Sequence, residues 1–324
     1  MPQTAINRNS PDRWKQDIVQ SVDMYNSWFM EFAPRVFREN RLGTAKRVKH
    51  ALGTVNNLAD ISRELLKKHP EMLSILRMST CPPIARDRLI GLAGVSRRLV
   101  ESMENITNPR IPPRLTGETI NADLERICDI IRKMADPDIF VWLNRTKVAT
   151  EVEISRAATI VADRLCGAIS NPIIRNAQEK RQLNAIGDWL RAQGYRNVEG
   201  IRFSDMEVGT YSFRTNIPVS VSGVEETAQV NIPADVVIMP IKSRTGDLPL
   251  LIEAKSAGDF TNVNKRRKEE AQKMAQLKNT YGDSIRFGLF LCGYFDSGYL
   301  GYEAAEGIDW VWEHRINDLV LYGL

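Results

Sequence analysis

The sequence predicts an α/β protein, with a central mixed sheet flanked by helices and an α-helical domain ahead of it. Three observations predict this. Between Asn231 and Ser256 lie two branched, apolar runs, DVVIM and LPLLIEAK, of the kind that forms strands buried on both faces. A helix-spaced segment follows and leads to a further apolar run, IRFGLFLCGYF, so a strand-helix-strand unit adds a parallel neighbour to an antiparallel pair. The first half of the chain, by contrast, is dominated by apolar residues at helical spacing.

With 324 residues the chain is long enough for two domains, each with its own core. The expected division is residues 1–170, helical and serving recognition or dimerisation, and 171–324, catalytic. Lysine and arginine exceed aspartate and glutamate by 44 to 40, a net charge of +4 that is too small to identify a nucleic-acid partner by itself. Cys81, Cys128, Cys166 and Cys292 are widely spaced, form no CxxC pair and are accompanied by only three histidines, which argues against a zinc site or a disulfide framework. No run approaches a membrane span and MPQTAINRNS lacks an apolar core, so the expectation is a soluble cytoplasmic protein without a membrane partner.

Ser10-Pro11-Asp12 is a helix start: a capping side chain, a proline suited to the first turn and an acid at the positive end of the dipole. Ile18, Val22, Tyr25 and Phe29 recur at helical spacing, with Trp14 and Trp28 expected in the same core, and Ala33-Pro34 is expected to end the helix near Phe32. From Arg35 to His50 basic residues gather, readable either as a phosphate-contacting face or as a solvated helix face.

In CPPIARDRLIGLAGVSRRLVESMENI, Arg86 to Ala93 and Ser96 to Met103 read as two short helices around Gly94-Val95, the outline of a helix-turn-helix. Ser96, Arg97 and Arg98 would then open the helix that enters the major groove, where arginine reads guanine through paired hydrogen bonds. An ordinary helical hairpin with surface arginines explains the pattern as well. NPRIPPRLTG, from Asn108 to Gly117, is a rigid loop, and Leu124, Ile127, Ile131 and Met134 mark the next helix. A further helix is expected over about Val152 to Ala168, broken at Asn171-Pro172. Another follows, with Ile174, Leu183, Ile186 and Leu190 inward and Gly194 at its end.

The strand that reaches Asp235 is expected to begin near Thr227. Asp235 opens DVVIM, while Glu253 and Lys255 close LPLLIEAK, and residues two apart on a strand share a face. Gly246, in KSRTGD, supplies a turn that brings Asp235 beside Glu253. Two carboxylates and an amine thus converge. Carboxylate oxygens are ligands that Mg²⁺ prefers, and two of them leave coordination positions for water and a phosphate oxygen. Such a metal suits phosphodiester hydrolysis, with the lysine orienting the water, helping to deprotonate it or stabilising the transition state. The competing reading is a buried ion-pair network without chemistry, although three charges in a strand core are expensive to bury for stability alone.

This arrangement resembles the PD-(D/E)xK nucleases, whose signature is an aspartate at the start of one strand and Glu-x-Lys on the next. Here the elements are IPAD, ending at Asp235, and EAK, from Glu253 to Lys255. Ala234 stands where that family most often has proline, and Pro233 lies one place early. With SAGDFTNVNKRRKEEAQKMAQLKNTYG after the lysine, and with the helical first half, the chain is similar over most of its length to type II restriction endonucleases of the XamI-type group. The resemblance implies a restriction-endonuclease-like sheet, Mg²⁺ dependence and duplex DNA as substrate, with GTCGAC as the site. It implies Asp235, Glu253 and the carbonyl of Ala254 as metal ligands, and Lys255 as the residue serving the attacking water. Some members add an acid from the helix leading into the sheet, for which Glu179 is the candidate. A homodimer is expected from the symmetry of such sites, and a companion DNA methyltransferase from the need to protect the host.

After the lysine, Asn264, Lys265, Arg266 and Arg267 stand at the start of a helix whose inward residues are Ala271, Met274, Leu277 and Tyr281. Positive charge there opposes the dipole, and a DNA phosphate would relieve the conflict. Glu269 and Glu270 compete locally for those charges. Trp310, Trp312 and Tyr322 are expected in the core, and His314, Arg315 and Asp318 at the surface. Two other functions are compatible with these residues. One is a nuclease of the same fold acting on repair or transposition structures, and the other is a non-catalytic helix-turn-helix regulator.

Overall fold

The structure is a computed structural model describing residues 5–105, 107–115, 117–222, 227–260 and 263–324. Nine α-helices are present among them: α1 (Pro11–Thr54), α2 (Arg63–Lys68), α3 (Leu73–Met78), α4 (Arg86–Ala93), α5 (Arg97–Met103), α6 (Gly117–Met134), α7 (Glu151–Ala192), α8 (Val263–Tyr281) and α9 (Ser297–Ala305). The strands are β1 (Arg196–Asn197), β2 (Thr210–Ser222), β3 (Thr227–Met239), β4 (Leu250–Ala257), β5 (Arg286–Gly293) and β6 (Asp309–Trp312).

The strands form one mixed sheet in sequential order. The β2-β3-β4 meander is antiparallel, and β4, β5 and β6 run parallel. The parallel step from β4 to β5 is the expected crossover through α8, which a parallel pair requires. Alternation along the strands builds two cores. Val237, Met239, Leu251, Leu289 and Leu291 pack with Met274 and Leu277 of α8. Val236, Ile238, Ile252 and Phe290 pack on the other side with Leu183, Ile186 and Leu190 of α7.

Compact units divide differently from the expected boundary at residue 170. One consists of Ala33–Ile174, and the other joins Met1–Phe32 to Arg175–Leu324. The N-terminal residues belong with the sheet because specific groups hold them there. Asp309 accepts hydrogen bonds from the backbone N–H groups of Ile6, Asn7 and Arg8 at 2.6, 3.0 and 3.1 Å. Trp14 packs edge-on against Trp310 at 5.5 Å and donates its indole N–H to the carbonyl of Asn7. Arg315 pairs with the buried Asp17 at 2.9 Å and His314 approaches it at 3.4 Å. His314 and Arg315 therefore hold the N-terminal helix, Asp318 pairs with Arg315, and all three are half-buried, which corrects their expected surface position.

Neither expected proline break occurs. Pro34 lies inside α1 and Pro172 inside α7. A proline removes one backbone hydrogen bond, and helices of 44 and 42 residues continue through that loss; Ala33 and Val36 are buried around the first, while Asn171, Pro172 and Ile173 are exposed. Both prolines lie within two residues of a unit boundary, so they mark where the helix changes its packing partner.

In the Ala33–Ile174 unit, Leu124, Ile127 and Ile131 of α6 are fully buried with Leu73, Leu76, Leu89, Leu99 and Val161. The expected helix pair is present as α4 and α5, with Ser96 capping α5 by accepting from the N–H of Leu99 at 3.2 Å. No helix among the described residues is long and apolar enough to cross a membrane, and all four cysteines are free.

Candidate active site

Asp235 reaches Glu253 because the β3-β4 register brings them together. Val236 pairs with Ile252, Val237 with Leu251 and Ile238 with Leu250, so the next step along the hairpin places Asp235 across from Glu253. Gly246, at φ +93°, turns the connecting loop. The ladder stops at Val236 and Ile252, and a side-chain bond replaces its next rung: the N–H of Ala254 donates to Oδ2 of Asp235 at 2.8 Å. Ala254 packs toward the α7 core, which leaves Glu253 and Lys255 together on the α8 side. The Nζ of Lys255 lies 3.1 Å from Oε1 of Glu253.

Helix α8 completes the charge arrangement. Glu270 and Lys273, three residues apart and so on one helical face, point at the pair. Lys273 donates to Oε2 of Glu253 at 2.7 Å and to the carbonyl of Pro233 at 2.7 Å. Glu270, only 2% exposed, forms an ion pair with Lys255 at 3.3 Å. Behind it lies Glu303 of α9, fully buried. Gln182 of α7 ties the strand ends, donating to the carbonyls of Lys255 and Phe290 at 3.3 Å and accepting from Ser256 at 2.9 Å. Nothing local in the sequence marks Gln182 or Lys273 as part of the site, and Glu270 stands there only as a competitor for nearby cations. A polar residue at an inward helical position after the Glu-x-Lys strand is the signal that could have found Glu270 and Lys273.

Burial, and then repulsion from Glu253, push the Asp235 carboxyl up to about 6. The bond from Ala254 and the charges of Lys255 and Lys273 oppose this and offset it only in part. For Lys255 burial favours the neutral amine, but Glu253 and then Glu270 outweigh it and its pKa is raised. Glu253 and Glu270 thus favour the ammonium form of Lys255, a hydrogen-bond donor. Burial also raises the Glu270 carboxyl, with Lys255 opposing.

Asp235, Glu253 and Lys255 line an open cleft of about 300 Å³ with Arg175, Gln178, Glu179 and Glu269. A larger cleft of about 440 Å³ lies along β2 and contains none of the three. Among the described residues no group of three or more His, Cys, Asp or Glu side chains is arranged to hold a metal ion. The donor set suits magnesium nonetheless, because that ion keeps several waters and needs only one or two carboxylates. Charge points the same way. Asp235, Glu253 and Glu270 set three carboxyl groups against the amines of Lys255 and Lys273, and Asp235 is raised by burial first and by the neighbouring Glu253 second.

Glu179 lines the cleft but is paired with Arg214 at 2.7 Å. Arg97 and Arg98 are exposed at the start of α5, and Arg97 pairs with Asp87 at 3.2 Å and with Glu101 at 3.8 Å. They belong to the Ala33–Ile174 unit, whereas the cleft belongs to the other. The side chains of Asn264, Lys265, Arg266 and Arg267, in the first turn of α8, lie outside the described residues.

The family model for XamI restriction endonuclease matches residues 56–312. The type II restriction enzyme SalI of Streptomyces albus G is 49% identical over 321 residues, covering 98% of this chain and 99% of that protein. No solved structure matches. A mixed sheet flanked by helices, with a carboxylate-lysine cleft and these relatives, defines a type II restriction endonuclease, a site-specific deoxyribonuclease whose substrate is DNA. Within that class, the chain belongs to the XamI restriction endonuclease family.

Proposed function

We propose that this endonuclease cuts both strands of duplex DNA at GTCGAC by Mg²⁺-dependent phosphodiester hydrolysis, through a PD-(D/E)xK site made of Asp235, Glu253 and Lys255. The observation that carries this reading is the hairpin register, which sets Asp235 across from Glu253 with Lys255 on the same face. Asp235 and Glu253, with the carbonyl of Ala254, would hold Mg²⁺, which supplies a Lewis acid for the attacking water and for the charge developing at phosphorus. Lys255, held charged between Glu253 and Glu270, donates a hydrogen bond to the water or to a non-bridging oxygen and so orients one against the other. Lys273 restrains Glu253 from the opposite side. The likeness to the XamI-type group is what favours GTCGAC.

The helical region is the proposed recognition and dimerisation part. In it Arg97 and Arg98 open α5 in the position from which a helix-turn-helix reads bases, while Asn264, Lys265, Arg266 and Arg267 are proposed backbone contacts at α8. A two-fold dimer would mirror the symmetry of the site, and a companion methyltransferase would protect the host DNA in the cytoplasm where both act.

Cleavage of unmodified genomic DNA by the wild type, Glu253→Ala and Lys255→Ala, with Mg²⁺ and with EDTA, tests this. Discrete fragments that need Mg²⁺, end at GTCGAC and vanish in both variants are expected. Metal-independent fragments, or undiminished cutting by Glu253→Ala, would overturn the assignment of the site.

A further inference from the structure

Arg214 is the one described non-glycine residue of the sheet with a positive φ, at +51°. It stands where the β2-β3 ladder skips a rung: Phe213 pairs with Val236 and Thr215 with Ala234, so the missing partner of Arg214 is Asp235. The ribbon also changes faces at this point. Tyr211 and Phe213 pack on the α7 core, while Ile217 and Val219, which share their parity, pack on the α8 core. On the partner strand Val236 and Ile238 lie in the first core and Ile232 and Ala234 in the second. A left-handed residue is the pivot of that switch.

Glycine would serve as the pivot without strain. An arginine placed there keeps a side chain at a cost in backbone energy, and the inference from such an outlier runs to function. Its visible interaction does not account for it. The guanidinium is 68% exposed and its partner Glu179 40% exposed, and ion pairs of that exposure add little stability. Glu179, however, lines the cleft with Asp235, Glu253 and Lys255. Arg214 itself lines the neighbouring cleft along β2, and its loosely held guanidinium meets the rim of the site through Glu179, one strand from the aspartate.

We propose that Arg214 is a DNA-backbone contact, with Glu179 as its resting partner, and that its guanidinium passes from Glu179 to a phosphate of the strand presented to Asp235 and Glu253. Arginine suits this exchange because its planar fork matches carboxylate and phosphate alike. The proposal rests on the reading of Asp235, Glu253 and Lys255 as the cleavage site.

The test is fluorescence anisotropy of a short labelled duplex with the full-length protein in EDTA, over a series of salt concentrations. Two duplexes serve, one carrying GTCGAC and one with those bases scrambled. Loss of one phosphate contact lowers the slope of log affinity against log salt by about 0.9 per protomer and weakens both duplexes alike. Arg214→Gly and Arg214→Asn, both compatible with a left-handed backbone, are expected to show this loss with an unchanged or higher Tm. Arg214→Lys is expected to keep the wild-type slope. Glu179→Gln, which removes the competing carboxylate, is expected to bind as tightly as wild type or tighter. An unchanged slope in both uncharged variants would overturn the proposal. So would equal weakening by Glu179→Gln and Arg214→Gly, which would mark the ion pair itself as the structural requirement. Failure of the site reading is distinguishable, since it shows as cleavage surviving Glu253→Ala and leaves these slopes untouched.

Discussion

Replacing Glu303 by glutamine removes a carboxyl that the fold keeps protonated. Glu303 is fully buried on α9, and burial first, then the charge of Glu270, push it from an ordinary 4.5 up to about 8, against a hydrogen bond with Tyr299. The folded chain therefore holds a proton that the unfolded chain releases between pH 4.5 and 8, and stability from this group falls as pH rises through that window. The gap is roughly three and a half pH units at about 1.4 kcal/mol each, or about 5 kcal/mol in full. Between pH 5 and 7 the wild type should lose about 2 to 3 kcal/mol that Glu303→Gln does not lose. For a unit of this size that is a difference of about 5–10 °C in the change of Tm. Tryptophan fluorescence reports it well, because Trp14, Trp28, Trp189, Trp310 and Trp312 all belong to the sheet-containing unit. Parallel stability curves for the two proteins from pH 5 to 8 would refute the reasoning, since they would mean that Glu303 titrates normally in the folded state.

Glu270→Gln should lower kcat by about tenfold or more, the worth of one charge-assisted bond to Lys255, while KM and duplex affinity stay near wild type; steady-state cleavage with parallel anisotropy checks this split. Lys273→Met removes two 2.7 Å bonds, to Glu253 and to the Pro233 carbonyl, and should destabilise the protein by about 1.5–3 kcal/mol in denaturant unfolding. Gly293→Ala would set a Cβ 2.1 Å from the carbonyl oxygen of Ala257 at φ +100°, so a loss of about 3 kcal/mol or failure to express soluble protein is expected, and a wild-type Tm would contradict it.

The β3-β4 hairpin of the proposed site was legible because its pattern is local. Branched runs mark buried strands, charges within them stand out, Gly246 supplies the turn, and a period of two assigns Glu253 and Lys255 to one face. The boundaries of α4 and α5 were legible for the same reason, with Ser96 as the cap. What escaped depends on tertiary placement. Proline preferences at positions 34 and 172 gave way to helices of 44 and 42 residues that continue through the loss of one hydrogen bond each. Arg315 and His314 read as surface residues because nothing nearby in sequence announces Asp17 as their partner. Glu270 and Lys273 lie in a strongly charged helix where most such residues are solvated, and only the β4-α8 crossover selects the two that turn inward. Arg214 escaped because a backbone angle leaves no mark in a residue pattern.

The clamp that Asp309 places on residues 6 to 8 joins chain positions 303 apart. On a ribosome the two partners appear at opposite ends of the process. At roughly 5–20 residues per second, Trp14 emerges about 15 to 60 s before the strand that receives it. Until β6 arrives, the first helix has neither Trp310 nor Asp309 to dock on, and the strand next to the Glu-x-Lys pair lacks its outer neighbour. The sheet of this endonuclease is thus completed only by its last strand, and a polypeptide cut short before residue 309 lacks both β6 and the anchor of the first helix.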